Sequence, residues 1–357
     1  MPAEVDRNIK NSSFSLQQLN LFFNKLVEDK FNVFINFEFQ ASYSSERESG
    51  AFNLQEGWVN YNHSDRLDLK VGLLLPIFNN LNEIQNRLPL FPYLFRPGIY
   101  ETLATGQFIF EDYRPEQAYL QLSGFVPMGS LRLDYAAHMG NSETSFLATT
   151  KPGSGISAGG PEVAQNAFQG EDLSYFKAYG GRIGVRSPNE RFKAGLSMTY
   201  DRDNRNSITE KSASRLPGFV IPALGEVPRL RLGGDLSFQR GRFAFEGEFI
   251  KVRHDVDYPL LPALSLDKDY YYVNLLYNFS DRLWGYTGFE RFIDQTFEAV
   301  VPHSPDAAGI ADVILGSGYK INEVIVLKSQ YANIWFADNP HIRVRAQWWF
   351  AGLSLIF

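Results

Sequence analysis

The stretch FNVFINFEFQASY, Phe31 to Tyr43, decides the fold. Phe31, Val33, Ile35, Phe37, Phe39, Ala41 and Tyr43 are apolar, and Asn32, Asn36, Glu38, Gln40 and Ser42 stand between them. A period of two puts one set on each face of a sheet. The pattern recurs outward along the chain. Leu67, Leu69, Val71, Leu73, Leu75 and Ile77 repeat it, as do Leu131, Leu133 and Tyr135 with Arg132 and Asp134 between them. Phe192 to Tyr200 and Tyr271 to Phe279 follow the same rule.

Short polar reversals separate these runs. Glu28-Asp29-Lys30, Ser64-Asp65-Arg66, Pro188-Asn189-Glu190 and Ser280-Asp281-Arg282 each lead straight into Phe or Leu. Pro127–Ser130, Arg240-Gly241 and Lys320-Ile321-Asn322 serve the same purpose, because small polar residues reverse the chain at low steric cost. Longer connections rich in Pro, Gly, Ser and charge lie at 79–117, 141–176, 203–228, 254–269 and 293–309. Strict alternation of short and long connections is what a transmembrane β-barrel needs, with short turns periplasmic and long loops outside. A β-sandwich has no reason to sort its loops in this way.

Composition agrees. Among 357 residues there are 30 Phe and 18 Tyr, yet mean hydropathy is −0.23. No apolar run approaches the roughly 18 residues of a membrane helix. Cysteine is absent, which suits an oxidising compartment without requiring one. The net charge of −6 and pI near 5.5 exclude general nucleic-acid binding, which needs a basic face. About fifteen strand-like segments are legible between residue 14 and residue 357, the weakest at 308–320. Bacterial single-chain barrels have even strand numbers. The reading therefore expects an all-β, antiparallel transmembrane β-barrel of about sixteen strands in the intact protein, with either a first strand upstream of this chain or a strand miscounted at 308–320. Residues 1–13 are set apart as an N-terminal segment. They carry neither an apolar signal core nor a good strand pattern.

The chain ends WFAGLSLIF, and Phe357, Leu355, Leu353, Ala351 and Trp349 form an apolar stripe closed by an aromatic. This ending resembles the signal by which outer-membrane proteins are read by the barrel-assembly machinery. Leu69-Lys70-Val71-Gly72-Leu73-Leu74-Leu75-Pro76-Ile77-Phe78, followed by Arg96-Pro97, is similar to an element of the phosphate-selective porin O/P family and related porins. Leu327-Lys328-Ser329-Gln330-Tyr331 looks like the same group. Asn79 departs from it, standing where those proteins tend to have Gly, and the loops carry no ladder of Arg and Lys. The resemblance implies a porin-type barrel in a bacterial outer membrane, passing small solutes, assembled as a homotrimer, with lipid around it. Phosphate selectivity does not carry over.

If the regular apolar positions face lipid, the alternate positions face a channel. Candidates for its lining are Lys70, Arg132, Asp134, Arg182, Arg186, Lys193, Arg229, Arg231, Asp235, Glu246, Glu248 and Lys328. Charge on the lipid face near the midplane would cost about 2–4 kcal/mol per Arg or Lys. Arg182, Arg186, Arg191, Lys193, Arg229 and Arg231 fall on neighbouring strands, which suggests a basic wall favouring anionic solutes. Alternatively, several simply flank periplasmic turns. In the long loop, Phe91, Tyr93, Phe95 and Arg96 belong to a run too apolar to stay in water. They fold inward as a constriction, pack at a subunit contact, or cap the rim.

No enzymatic or cofactor motif stands out. His138 with Asp134, Ser142 and Ser145 can be drawn as a Ser/His/Asp set, but scattered residues in so long a chain make such sets by chance. His254, Asp255 and Asp257 lack metal-site spacing, and the glycines at 153–160 lack a following Gly-Lys-Ser/Thr. The leading reading is passive diffusion of small hydrophilic solutes, anionic ones included, with no enzyme activity, no cofactor and no metal. The competing readings are an outer-membrane hydrolase and a non-conducting receptor barrel with a filled lumen. Tyr270, Tyr272, Trp284 and Tyr286 keep the last alive.

Overall fold

In the computed structural model, residues 18–44, 49–64, 66–100, 117–142, 176–203, 227–256, 264–294, 308–336 and 345–355 are described. They form fifteen strands in one sheet, each paired antiparallel with the next. The first four are β1 (Gln18–Val27), β2 (Phe31–Ser44), β3 (Ser49–Ser64) and β4 (Leu67–Leu74). Next come β5 (Gln117–Met128), β6 (Leu131–Asn141), β7 (Lys177–Arg186) and β8 (Phe192–Asp203). Then follow β9 (Val227–Arg240), β10 (Phe243–Val256), β11 (Leu264–Asn278) and β12 (Leu283–Asp294). The last are β13 (Ala308–Lys320), β14 (Ile325–Phe336) and β15 (Arg345–Leu355). β1 and β15 run in the same direction, and no ladder joins them among the described residues. An additional upstream strand would lie outside those residues.

The short connections fall where the polar reversals predict. Gly129 (φ 62°) and Gly241 (φ 60°) supply the left-handed backbone that tight hairpins require. Glu28 (φ 55°) and Glu190 (φ 56°) adopt it without that freedom. One expected loop shrinks. Of residues 254–269, β10 takes those up to Val256 and β11 those from Leu264. Charge disguised these strand ends: Lys251, outward on β10, pairs with Asp267 (2.7 Å) and Asp269 (3.6 Å) of β11.

Registers turn the alternation into two faces. Ile35, Val59, Val71, Leu120, Leu196, Leu232, Phe249, Leu275 and Leu327 share the outward face, and most of these are exposed. The inward face carries buried Glu38, Gln121, His138, Arg229, Arg231, Asp235, Glu248, Glu290 and Lys328. Apolar outside and charged inside is the reverse of a water-soluble protein. An apolar belt of this extent has to be covered, and a bilayer covers it. The sheet also curls round on itself: one loop of some twenty-five residues touches β3 at one side and β15 at the other.

Candidate functional site

The interior is organised by residues 75–100, which leave the top of the short β4 and enter the barrel. Leu75, Pro76 and Phe78 are buried. The Ile77 amide donates to Gln121 Oε1 on β5 (2.8 Å), and the Asn79 amide donates to Ser197 Oγ on β8 (2.9 Å). Asn79 has φ 56°. Asn tolerates that left-handed conformation better than most residues, which accounts for its standing in a place where the resembling porins have Gly. Its carboxamide sits against bare Gly233 of β9, where a Cβ would lie 2.3 Å from Asn79 Oδ1.

The next residues cross to β10. Glu248 accepts the amides of Asn80 (2.9 Å) and Leu81 (2.8 Å) on one oxygen and the Tyr100 hydroxyl (2.7 Å) on the other. The chain then swings back, with Glu83 on Lys70 of β4 (2.7 Å) and Asn86 on Glu56 of β3 (3.3 Å). Three one-turn 3-10 helices, Asn82–Ile84, Leu88–Leu90 and Gly98–Tyr100, keep this path compact.

On the far wall, Lys328 of β14 donates to the carbonyls of Pro89 (3.2 Å) and Phe91 (2.7 Å), with that of Leu88 at 3.5 Å. Trp284 Nε1 donates to Pro92 O (2.9 Å), and the Tyr286 hydroxyl accepts the Leu94 amide (3.2 Å) while donating to Gln330 (2.7 Å). Glu290 accepts the Gly98 amide at 2.7 Å. Apolar contact backs these bonds. Phe78, Leu81, Ile99 and Tyr100 pack on Ile250, Val252, Tyr270, Tyr272, Phe292 and Ile310. Phe91 stacks on Tyr93 at 5.3 Å, and Phe95 meets Phe350 edge-on at 4.6 Å. Burial, with Glu246 beside it, holds the Tyr93 phenol well above its ordinary pKa. Of the three fates open to this run in the sequence, the described part takes the inward one; residues 101–116 lie outside the described residues.

Most of the loop packs on β10–β15; among the described residues it meets β5, β8 and β9 only through residues 77–79. On the inner face of β5–β9, strand register places Arg132, Arg182, Arg186, Lys193, Arg229 and Arg231 inward, with Asp134, Asp201 and Asp235. Two features mark the basic wall expected from sequence. Its cations are largely ion-paired: Arg182 with Asp235 (2.6 Å), Arg186 with Asp134 (2.8 Å) and Glu190 (3.0 Å), Lys193 with Glu190 (3.3 Å), and Arg229 with Asp201. Arg191 lies in the exposed turn before β8, at the rim. Cations still outnumber the carboxylates on this face. Lys193, helped by Arg186 and Arg132, holds the Glu190 carboxyl below its ordinary pKa. The guanidinium carbons of Arg132 and Arg186 lie 4.9 Å and 5.4 Å from the Phe125 ring centre, within cation–π reach.

Two further expectations shift. Lys328 and Glu248 do face inward, but both hold the loop rather than standing free in the bore. Glu246 is engaged by Asn274 (3.1 Å). Glu56, Gln121 and Glu290 are not singled out from sequence, where nothing but their inward parity marks them; Tyr286 stands there only as a lumen-filling candidate and Gln330 only within a motif. Trp349, Leu353 and Leu355 project outward and exposed on β15, whereas Phe357 lies outside the described residues. The Ser/His/Asp set does not assemble. Asp134 meets Arg186, His138 Nε2 lies 3.4 Å from Thr199 Oγ1, and Ser142 donates to Phe176 O (2.9 Å). Ser145 is outside the described residues. Asp134 and His138 are four positions apart on one strand, roughly 13 Å.

An antiparallel sheet wound round a charged interior, with an apolar exterior and a loop folded within, defines an outer-membrane-type transmembrane β-barrel. The chain superposes on Salmonella typhi OmpF in complex with daunomycin with a TM-score of 0.58, at 9% identity over 97% of this chain and 92% of that one. For a loop L8 deletion mutant of OmpT, an outer membrane protein of Vibrio cholerae, the TM-score is 0.54 at 12% identity, covering 95% and 90%. For the outer membrane channel DcaP of Acinetobacter baumannii the values are 0.53, 12%, 94% and 83%. At these identities the likeness is one of fold. No protein-family profile matches the chain, and no curated protein does.

Proposed function

We propose that the protein is a porin of a bacterial outer membrane, a passive channel for small hydrophilic solutes with a preference for anions. The observation that carries this reading is the inner face of β5–β9. Among the described residues it is touched by the loop only through residues 77–79, is lined by charged and small side chains, and bears more cations than carboxylates. Such a surface has no use in a dry core, since buried charge is costly. Along a wet path it attracts and conducts ions of opposite sign. The fold likeness to the outer membrane channel DcaP agrees with this reading, as does the resemblance of Leu69–Phe78 to the phosphate-selective porin O/P group. Membership of that particular group rests on those short motifs alone. The outward stripe of Trp349, Leu353 and Leu355 fits both lipid contact and recognition by the assembly machinery. A homotrimer is the expected assembly; an OmpT structure with a TM-score of 0.51 is described as a trimer form.

Planar-bilayer recording across a salt gradient tests the proposal. Discrete conductance steps with a reversal potential on the anion side are expected. Clear cation preference would remove the anion reading. Absence of conductance would favour a filled lumen, for which the burial of Tyr270, Tyr272 and Tyr286 is the supporting observation. A parallel esterase assay on the detergent-solubilised barrel addresses the hydrolase reading, and no activity is expected.

A further inference from the structure

Two charged side chains on the β10–β15 wall, four strands apart, hold the inward loop chiefly by its backbone, with the Tyr100 hydroxyl added at Glu248. Glu248 on β10 receives the amides of Asn80 and Leu81, and Lys328 on β14 donates to the carbonyls of Pro89 and Phe91. Both are buried, and neither makes an ion pair among the described residues. An unpaired charge in such a place is costly unless hydrogen bonds satisfy it. The loop backbone does so. Its residues have left the sheet, so their amides and carbonyls lack ladder partners and need others. An anion meeting N–H groups and a cation meeting C=O groups are charge-assisted pairings, stronger than neutral ones.

The two anchors act at different places. Glu248 fixes the segment where the chain first crosses the lumen, and Lys328 fixes the segment 88–91. Together they fix the loop at residues 80–81 and 89–91 against this wall. We infer that Glu248 and Lys328 determine the width of the channel, through a clamp that grips mainly the loop's main chain. This rests on the channel reading above and adds the residues that fix its size limit.

The test is liposome swelling with neutral sugars of increasing size, alongside single-channel conductance. Neutral probes separate a change of width from a change of charge. Wild type, Glu248→Leu, Glu248→Gln, Lys328→Met and Lys328→Arg are compared, each shown to be a folded barrel by heat-modifiable gel mobility. Glu248→Leu and Lys328→Met are expected to admit larger sugars and to conduct more. Glu248→Gln keeps an acceptor oxygen and Lys328→Arg keeps donors, so both stay near wild type. A nitroxide at Leu90, which is exposed in the loop, gives an independent reading: its spectrum is expected to sharpen in the Leu and Met variants. If one of these does not fold, the other decides. If wild type fails to conduct, the channel reading itself falls. If wild type conducts while Glu248→Leu and Lys328→Met keep its size limit and the Leu90 spectrum, the clamp inference is overturned.

Discussion

Arg182 reaches Asp235 across a strand that carries no side chain between them. Its Nε and Nη2 donate to the two carboxylate oxygens at 2.9 Å and 2.6 Å. The guanidinium lies over Gly195, where a Cβ would come within 2.4 Å of Nη2. Bidentate geometry of this kind suits Arg and not Lys. Both side chains are almost wholly buried, 8% and 0% exposed.

From this follows an asymmetry in stability. Asp235→Leu or Arg182→Met alone leaves a buried charge without its partner and costs about 3–5 kcal/mol by analogy with other buried pairs. The double substitution replaces both by apolar groups and costs much less. Urea unfolding of the barrel in lipid vesicles measures all three. Equal, additive losses would show that the pair does not act as a unit.

Gly195→Ala probes the same pair from beneath. The new methyl has to displace the guanidinium, so the variant resembles Arg182→Met in stability even though both charges remain. Gly129→Ala, in an open turn with nothing within 4 Å of its Cβ, meets only the cost of its left-handed backbone.

At Gly316 a Cβ would lie 2.1 Å from Tyr286 Cζ. Gly316→Val therefore pushes the ring away, and with it the hydroxyl that joins the Leu94 amide to Gln330. We expect greater proteolytic sensitivity of the 91–95 segment in an otherwise folded barrel. Unchanged cleavage would mean that Tyr286 does not seat this part of the loop.

Glu190 bridges Arg186 and Lys193 in the short turn between β7 and β8. Its folded pKa is depressed, chiefly by Lys193, so its contribution is complete above the ordinary glutamate range. It is lost as pH falls through the lower, folded value. The carboxylate is half exposed and screened, so the effect is small. Comparing unfolding midpoints of wild type and Glu190→Gln across that acid window checks the sign: the difference should vanish at the acid end.

Much of this architecture is legible in the chain itself. Alternation at Phe31–Tyr43 and the polar reversals fix strands and faces because the lipid and lumen phases demand opposite chemistry at adjacent residues. The weak pattern at 308–320 has a physical cause. Gly316 and Gly318 occupy inward positions there because Tyr286 and Trp284 of β12 lie over them, so the side chains that would have marked the face come from the neighbouring strand. The role of Lys328 is not legible in the same way. Parity places it inward, but its carbonyl partners are some 240 residues away in sequence, in a segment that no local rule brings into the barrel. Charge likewise misled where strands rise above the apolar belt, as at Lys251 and Asp267.

A nitroxide scan along β8 from Lys193 to Met198, in a chain that has no native cysteine, reads directly which side chains touch hydrocarbon. Collision with lipid-soluble oxygen is predicted to peak at Ala194, Leu196 and Met198 and to fall at Lys193, Gly195 and Ser197. Peaks at the second set, or no alternation at all, would contradict the assignment of lipid and lumen faces on which the account stands.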